Sequence, residues 1–173
     1  MPPTNWADLF AKAQHSAVHL EMRDHYAAPS EDDPIARWEA TGVADTDPDS
    51  EWWAGWSRII RDAVARGVQV RRARIVSEPV TRYTRWLHAI TPANLAAGER
   101  VRWLPRANAV DLALPGSDFW VFDDTLVRFG QFSGDGVPLE PQYREQPEVI
   151  KLCLDAFESV WSRGVPHEEY EIH

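Results

Sequence analysis

Four aspartates stand close together in the segment DFWVFDDTLVRFGQFSGDG, among large aromatic and aliphatic side chains. A carboxylate can act as a general acid or base, or it can bind a metal ion. Asp123 and Asp124 fall between two strand-like runs and Asp135 lies in the turn signature SGDG, positions that favour aspartate because it tolerates turn geometry. Asp118 begins a strand. We therefore assign these acids to turns and strand ends, and we predict no catalytic residue and no metal ligand among them.

The remaining nucleophiles and metal ligands form no recognisable motif. The six histidines include no HExxH pair, and the single Cys153 excludes paired-cysteine zinc spacing and an internal disulfide. The chain contains no G-x-S-x-G nucleophile elbow, no P-loop and no G-x-G-x-x-G. We expect a protein that is not an enzyme and needs no cofactor, and we keep an unrecognised hydrolase as an alternative.

An arginine-rich segment, VRRARIVSEPVTRYTRW, is the clearest candidate for a binding site. Arg72 and Arg74 lie on a predicted strand, and Glu78, Tyr83 and Arg85 follow at the start of the next predicted helix. The junction of a strand end with a helix N-terminus commonly binds anions, and a guanidinium group matches a carboxylate or phosphate. These five residues form our candidate ligand-binding set. Alternatively, the arginines pair with acidic side chains elsewhere in the chain.

Hydrophobic periodicity predicts the elements that position these residues. The apolar stripe of a helix recurs in TNWADLFAKAQ, DSEWWAGWSRIIRDAVARG, PVTRYTRWLHAI and PEVIKLCLDAFESVWSRG, and Pro92 is expected to interrupt the third. Strand-like alternation occurs in SAVHLEMRD and VQVRRARIVS, and again in RVRWLPR, AVDLAL, FWVFD and LVRFGQF, which we predict to be joined as hairpins. APSEDDP and ADTDPDS are predicted loops. The pattern predicts a single α/β domain over residues 1–173, a mixed β-sheet flanked by helices, with residues 167–173 as a loose tail.

Charge is distributed unevenly along the chain. Residues 1–50 carry a net charge of −7, residues 51–110 carry +7 and residues 111–173 carry −9, for a total of −9. An acidic chain argues against direct binding of nucleic acid, because that affinity comes largely from neutralising phosphates. No apolar run approaches the roughly 18 residues that span a bilayer, and the start MPPTNWADLF has no signal-peptide pattern. We therefore expect a cytoplasmic protein without membrane contact.

Nine tryptophans are available for a core or an interface. Aromatic anchors dominate the energetics of protein interfaces. We predict that Trp52, Trp53 and Trp120, together with Asp123, form an acidic and aromatic surface that binds a partner protein. A homodimer is an alternative, since exposed tryptophans can also contact a second copy of the chain.

Nearly the whole chain resembles an uncharacterised actinobacterial family, through the segments HLEMRDHY, VRRARIVSEPVTRYTRW, NLAAGERVRWLPR, DLALPGSDFWVFDD and CLDAFESVWSRGVPHEEY. Members of that family carry no established activity and are often encoded beside a helix-turn-helix regulator. The resemblance implies a regulatory or partner role, with the regulator as the expected partner. It implies no catalytic residues.

A more distant resemblance is to half of a phospholipase D-like fold, in the order ARIV…FWVFDDTLV…AFESVW. That superfamily works through an H-x-K-x-x-x-x-D motif. His88 is followed two positions later by Ile90, and His19 by Glu21, so neither satisfies the motif. The resemblance implies a phospholipase D-like half as the leading fold prediction, without the catalysis.

Three functions remain open at this point. The first is a non-enzymatic regulatory partner, which an exposed tryptophan patch would favour. The second is a sensor of a small anionic ligand, which an arginine-lined pocket would favour. The third is the unrecognised hydrolase, which perturbed carboxylates or histidines facing each other in a deep cleft would favour.

Overall fold

The computed structural model describes residues 5–173 of the chain. The helices are α1 (Trp6–Lys12), α2 (Asp32–Thr41), α3 (Ala54–Ala65), α4 (Arg82–Ala97) and α5 (Pro147–Arg163). The strands are β1 (Ser16–Glu21), β2 (Gln69–Val76), β3 (Arg100–Pro105), β4 (Phe119–Phe122), β5 (Leu126–Phe132), β6 (Pro138–Arg144) and β7 (Val165–Pro166). Across residues 5–173, no helix has the length and apolarity to cross a membrane.

The strands form one mixed sheet in the order β6-β5-β4-β1-β2-β3-β7. Strands β1, β2 and β3 are parallel, and helices α3 and α4 lie in the connections between them. Strands β4, β5 and β6 form an antiparallel meander beside β1, and β7 pairs antiparallel with β3 at the other edge. The predicted α/β domain with a mixed sheet flanked by helices is confirmed.

One face of the sheet is apolar and packs under α5. Val18 and Leu20 of β1, with Ile75 of β2, contact the apolar stripe of α5, which includes Phe157. Alternation in a strand sends every second side chain to the same face, so the residues between these point to the opposite side. Cys153 lies on the buried face of α5, where it packs as a small hydrophobic residue, and burial raises the pKa of its thiol to about 12.

The opposite face is apolar only near its ends. Phe10 of α1 and Ile60 of α3 pack together at one end, and Trp86 of α4 packs with Trp103 of β3 at the other. Between these clusters, the strands present charged and aromatic side chains instead of aliphatic ones. Helices α3 and α4 therefore cover a sheet face whose centre is polar.

Of the strands predicted to form a meander or successive hairpins, FWVFD and LVRFGQF do pair antiparallel as β4 and β5, and the others pair differently. AVDLAL is a turn and loop, and β3 lies parallel to β2 instead of forming a hairpin with its successor. Periodicity identifies the buried face of a strand but not its neighbour, because pairing depends on contacts distant in sequence. Strand β6 escaped prediction because it contains Pro138 and Pro141. An edge strand tolerates proline, since half of its backbone N–H groups need no partner strand.

Two helical regions also differ. Helix α4 continues through Pro92, which we expected to interrupt it, and it ends at Gly98 with a φ of 109°. Helix α2 begins inside the predicted loop APSEDDP and ends at Gly42, where φ is 71°. It contains no buried residue, so its weak apolar stripe left little signal in the sequence.

The C-terminal segment, which we expected to be loose, is packed against the domain. Tyr170 is 7% exposed, and its ring stacks on Trp103 with centroids 5.5 Å apart. The Tyr170 hydroxyl donates to Glu78 Oε1 at 2.7 Å, and the backbone N–H of Val80 donates to the carbonyl of His173 at 2.8 Å. The polar composition of the tail concealed one aromatic anchor, which supplies enough burial to order it.

Candidate ligand-binding cavity

A cavity of about 460 Å³ opens between the polar centre of the sheet and the chain that runs from Tyr26 to Trp56. Aromatic rings from six parts of the fold line it: Trp6, Tyr26, Trp52, Trp53, Trp56, Tyr83, Phe119, Trp120 and Phe132. A larger groove of about 790 Å³ lies beside α1, but its Lys12 and Glu145 side chains are exposed. Because perturbed, desolvated charges mark functional sites, we place the candidate site in the smaller cavity.

Strand register builds the floor of this cavity. His19 lies opposite Arg72 on β2 and opposite Trp120 on β4, and Glu21 lies opposite Arg74. Residues opposite each other on neighbouring strands share a face of the sheet. The spacing of two between the histidine and the glutamate, and between the two arginines, therefore brings all four polar groups to one floor.

The two arginines of the floor carry carboxylate partners. Arg72 donates to Glu21 Oε1 at 2.9 Å and to Glu99 Oε2 at 2.8 Å. Arg74 donates to Glu21 Oε2 at 2.5 Å and to the hydroxyl of Thr91 at 2.7 Å. Burial alone would raise the pKa of Glu21, but the guanidinium groups of Arg74 and Arg72 outweigh it and hold that pKa well below its usual range. The arginines are thus paired within the chain, which was the alternative to anion binding.

Only three of the five predicted ligand-binding residues lie at the same site. Arg72, Arg74 and Tyr83 line the cavity. Glu78 instead accepts a hydrogen bond from a tyrosine of the C-terminal segment, and Arg85 is exposed on α4. The predicted cluster was wrong for Arg85 because a side chain two positions beyond an inward-facing helical residue points away from it. It was wrong for Glu78 because that residue precedes α4 and its carboxylate pairs with the C-terminal segment.

Two carboxylates line the cavity without a cationic partner. Glu31 accepts a hydrogen bond from the Tyr83 hydroxyl at 2.7 Å, and Asp118 accepts one from the Tyr26 hydroxyl and one from a backbone amide. Within residues 5–173, no salt bridge joins either carboxylate to a basic side chain. Burial, together with the negative charge of Glu21, raises the pKa of Glu31 to about 7 and that of Asp118 to about 6.

His19 is another group of the cavity with a shifted pKa. Its ring lies against Trp120 with centroids 4.3 Å apart, and its Nδ1 is buried with no hydrogen-bond partner among the described residues. Burial lowers the pKa of His19 well below its ordinary value, and the charges of Arg72, Arg74 and Arg128 lower it further. The ring is therefore neutral near pH 7. A buried polar atom without a partner calls for an explanation, and a ligand atom is one.

Sequence reasoning missed several of these groups. Glu31 lay in a predicted loop, and Asp118 was assigned to a strand start. His19 did carry a signal, because the alternation of β1 placed it with Glu21 on the face opposite the apolar residues. Alternation alone does not show whether such a polar face meets solvent, and in the fold helices and loops cover it.

The predicted partner-binding tryptophans do not form an exposed surface. Trp53 and Trp120 are only 6% and 2% exposed, and Trp52 is half-buried. All three line the cavity. All nine tryptophans lie within the described residues and each is buried or half-buried, so this part of the prediction was wrong. The large rings cover the polar centre of the sheet, where they remove more apolar surface from water than they could at the exterior.

Asp123 is also unavailable to a partner. Its carboxylate accepts hydrogen bonds from the backbone amides of Gln14, His15 and Ser16 at 2.7, 2.7 and 2.9 Å. Asp123 and Asp124 have φ values of 49° and 54°, as the central residues of the tight turn between β4 and β5. The assignment of these acids to a turn is confirmed, and Asp123 holds the start of β1 in place.

No curated protein matches this chain. It is similar to the phospholipase D family member Nuc from Salmonella typhimurium, with a TM-score of 0.53 and 12% identity over 93% of this chain and 87% of that chain. It is also similar to TrmBL2, an archaeal chromatin protein, with a TM-score of 0.47 and 13% identity over 92% of this chain and 48% of that chain.

At 12% identity, the likeness to Nuc shows a distant phospholipase D-like fold and says nothing about activity. Among residues 5–173, His, Cys, Asp and Glu side chains form no group of three that could hold a metal ion. A family match does extend over nearly the whole length. The chain belongs to the family described as a domain of unknown function (DUF6879), which matches residues 4–172.

Proposed function

We propose that this domain is a small-molecule sensor that binds its ligand in the cavity between the sheet and the chain from Tyr26 to Trp56. The observation that carries the proposal is the composition of the cavity, where aromatic rings enclose buried polar groups that lack full partners. Ligand sites are typically concave and mostly apolar, with a few convergent polar groups that fix orientation.

The polar groups of the cavity that lack a full set of partners favour ligand binding over a purely structural role. Burying a carboxylate without a cation costs free energy, and so does burying a ring nitrogen without a hydrogen-bond partner. Glu31 and Asp118 bear the first cost and the Nδ1 of His19 bears the second, all at one cavity. A ligand that supplies partners to these groups would recover part of that free energy. The cavity is therefore chemically prepared for a molecule with both polar and flat apolar parts.

The internal pairing of Arg72 and Arg74 argues against the anionic ligand of our first alternative. Their guanidinium groups already contact Glu21 and Glu99, so an anion would have to displace carboxylates that the chain itself provides. We retain the sensor and set aside the anion.

The cavity favours binding over hydrolysis. A carboxyl group with a pKa near 6 or 7 suits a general acid. A nucleophile activated by a base would need the two within hydrogen-bond reach. Among the described residues, His19 Nδ1 contacts no hydroxyl or thiol, and the hydroxyls of Tyr26 and Tyr83 donate to carboxylates.

Thermal unfolding in the presence of a metabolite panel tests the proposal. A ligand at 100 times its Kd adds about 2.7 kcal/mol of stability, which for a domain of this size raises Tm by roughly 5–10 °C. Ala28 lines the cavity, so Ala28→Trp should fill it and abolish the shift. Ala36→Trp, on the exposed surface of α2, is the matched control and should keep the shift.

A panel without any stabilising compound would count against the sensor. A shift that survives Ala28→Trp unchanged would place the binding site elsewhere on the molecule.

A second candidate function is the binding of a basic partner protein. The observation that favours it is the segment 32–51, which carries seven acidic residues and one arginine and is exposed at most of its acidic positions. The resemblance to an actinobacterial family often encoded beside a helix-turn-helix regulator makes that regulator the partner to test first. Co-expression and light scattering should show a complex that dissociates as salt rises, whereas a monomer or homodimer that ignores the regulator would remove this candidate.

A further inference from the structure

We propose that the ligand of this cavity is an organic cation, whose ammonium or amidinium group is bound by Glu31 and Asp118 within this aromatic-lined space. This inference rests on the small-molecule binding proposed above, and it names the class of ligand.

The three carboxylates that line the cavity, and the Glu99 carboxylate that pairs with Arg72 of its floor, fall into two kinds. Glu21 and Glu99 receive guanidinium donors from the floor of the sheet. Glu31 and Asp118 receive only neutral donors, and no salt bridge reaches either one within the described part of the chain. A buried carboxylate is most stable beside a cation that also donates hydrogen bonds, so the second kind has the ionic position open.

Aromatic rings stand beside the two open carboxylates. The Tyr26 and Tyr83 rings lie with centroids 5.8 Å apart, and each tyrosine bonds one of the carboxylates. Phe132 adds a third ring, 5.2 Å from that of Tyr26. The face of an aromatic ring attracts a cation, and Phe132 already has the guanidinium carbon of Arg23 5.1 Å from its centroid. The rings beside the two carboxylates therefore favour positive charge.

Other charges also act on the open carboxylates. The titratable and charged groups that face Glu31 are Tyr83, Glu21, Arg74 and Asp32. Those that face Asp118 are Tyr26, Glu21 and Arg23. Despite Arg74 and Arg23, both carboxyl groups are partly protonated between pH 6 and pH 7. A bound cation would favour their ionised forms, so binding should release protons and should tighten as pH rises through this range.

Three probes of similar shape and different charge test the proposal: 2-phenylethylammonium, 2-phenylethanol and phenylacetate. Calorimetry at pH 7.5 should give at least tenfold tighter binding for the ammonium than for the alcohol, and the weakest binding for phenylacetate. Affinity for the ammonium should rise between pH 5.5 and pH 7.5, while affinity for the alcohol should stay constant.

Neutral replacements identify the groups responsible. Glu31→Gln and Asp118→Asn should each weaken the ammonium about tenfold at pH 7.5, a change of about 1.4 kcal/mol, and leave the alcohol unchanged. Glu145→Gln, at an exposed position outside this cavity, is the matched control. Unchanged binding of the alcohol also verifies that each variant is folded.

These outcomes distinguish the organic cation from the small-molecule sensor on which it rests. Equal affinities for the three probes, tighter binding of phenylacetate, or ammonium binding that is insensitive to both substitutions would overturn the cation and leave the cavity as a ligand site. Failure of the folded protein to bind any of the three also overturns the cation. The metabolite panel then decides separately whether the sensor stands.

Discussion

Glu21 and Glu31 are both buried glutamates of one cavity, yet their pKa values move in opposite directions. Burial favours the neutral form of each. At Glu21 the guanidinium groups of Arg74 and Arg72 overcome that effect, whereas at Glu31 the hydroxyl of Tyr83 does not. The partner of the carboxylate, and not the residue type, therefore decides whether the group stabilises the fold or leaves it open to a ligand.

Substituting each glutamate by glutamine should separate these roles. Glu21→Gln should lower the free energy of unfolding by about 3–5 kcal/mol, because it leaves two buried guanidinium groups short of a counter-charge. Glu31→Gln should raise it by about 1–2 kcal/mol at pH 8, because the folded-state pKa of about 7 lies above the ordinary 4.5 and the ionised form is unfavourable in the fold. Urea unfolding at pH 8 measures both.

The gain for Glu31→Gln should vanish near pH 4.5. A raised folded-state pKa costs stability only as pH rises from the unfolded value towards the folded one, so below both values the glutamate is neutral in either state. Loss of stability in Glu31→Gln at pH 8, as large as that in Glu21→Gln, would contradict the assignment of an unpaired carboxylate.

At the scale of elements, the sequence predicted what period and composition can reveal. The stripes of α3 and α5 and the alternation of β1 and β2 were visible because each element buries one face. The sequence did not reveal that β3 lies beside β2, that β6 is a strand, or that α2 exists. These features depend on sheet pairing, on an edge position that tolerates proline, and on contacts that a polar helix makes only within the fold.

The C-terminal segment provides a prediction at this scale. Tyr170→Phe should cost about 1 kcal/mol through the hydrogen bond to Glu78, and Tyr170→Ala should cost about 3 kcal/mol through the lost ring contact with Trp103. Chemical denaturation measures both losses. Hydrogen exchange should show the Val80 amide protected in the natural sequence and faster in the alanine variant. If the C-terminal segment were loose, neither the free energy of unfolding nor the exchange rate of the Val80 amide would change.

At the scale of the whole molecule, the uneven charge of the sequence is largely resolved by pairing between its thirds. Arg71 pairs with Glu158, Arg74 with Glu21, and Arg106 with an aspartate of the first third. Arginines of the basic middle third thus pair with acidic side chains of both other thirds. The floor of the cavity follows from the sequence. His19 and Glu21 are two apart on β1, Arg72 and Arg74 are two apart on β2, and strand residues two apart share a face.

The walls of the cavity could not be predicted in the same way. They come from six separate parts of the chain, including a segment between β1 and α3 that the sequence marked only as loops. Only the assembled fold shows that the tryptophans cover a polar sheet face and that Glu31 and Asp118 reach the same space.

The most direct test of binding in the cavity is a titration of isotope-labelled protein, read from the nine indole N–H signals by nuclear magnetic resonance. The titrant is the compound with the largest thermal shift. Five tryptophans line the cavity: Trp6, Trp52, Trp53, Trp56 and Trp120. The other four do not line it: Trp38, Trp86, Trp103 and Trp161. We predict that signals of the first group shift and those of the second stay within error. Larger shifts in the second group, or none in either, would contradict a ligand site in this cavity.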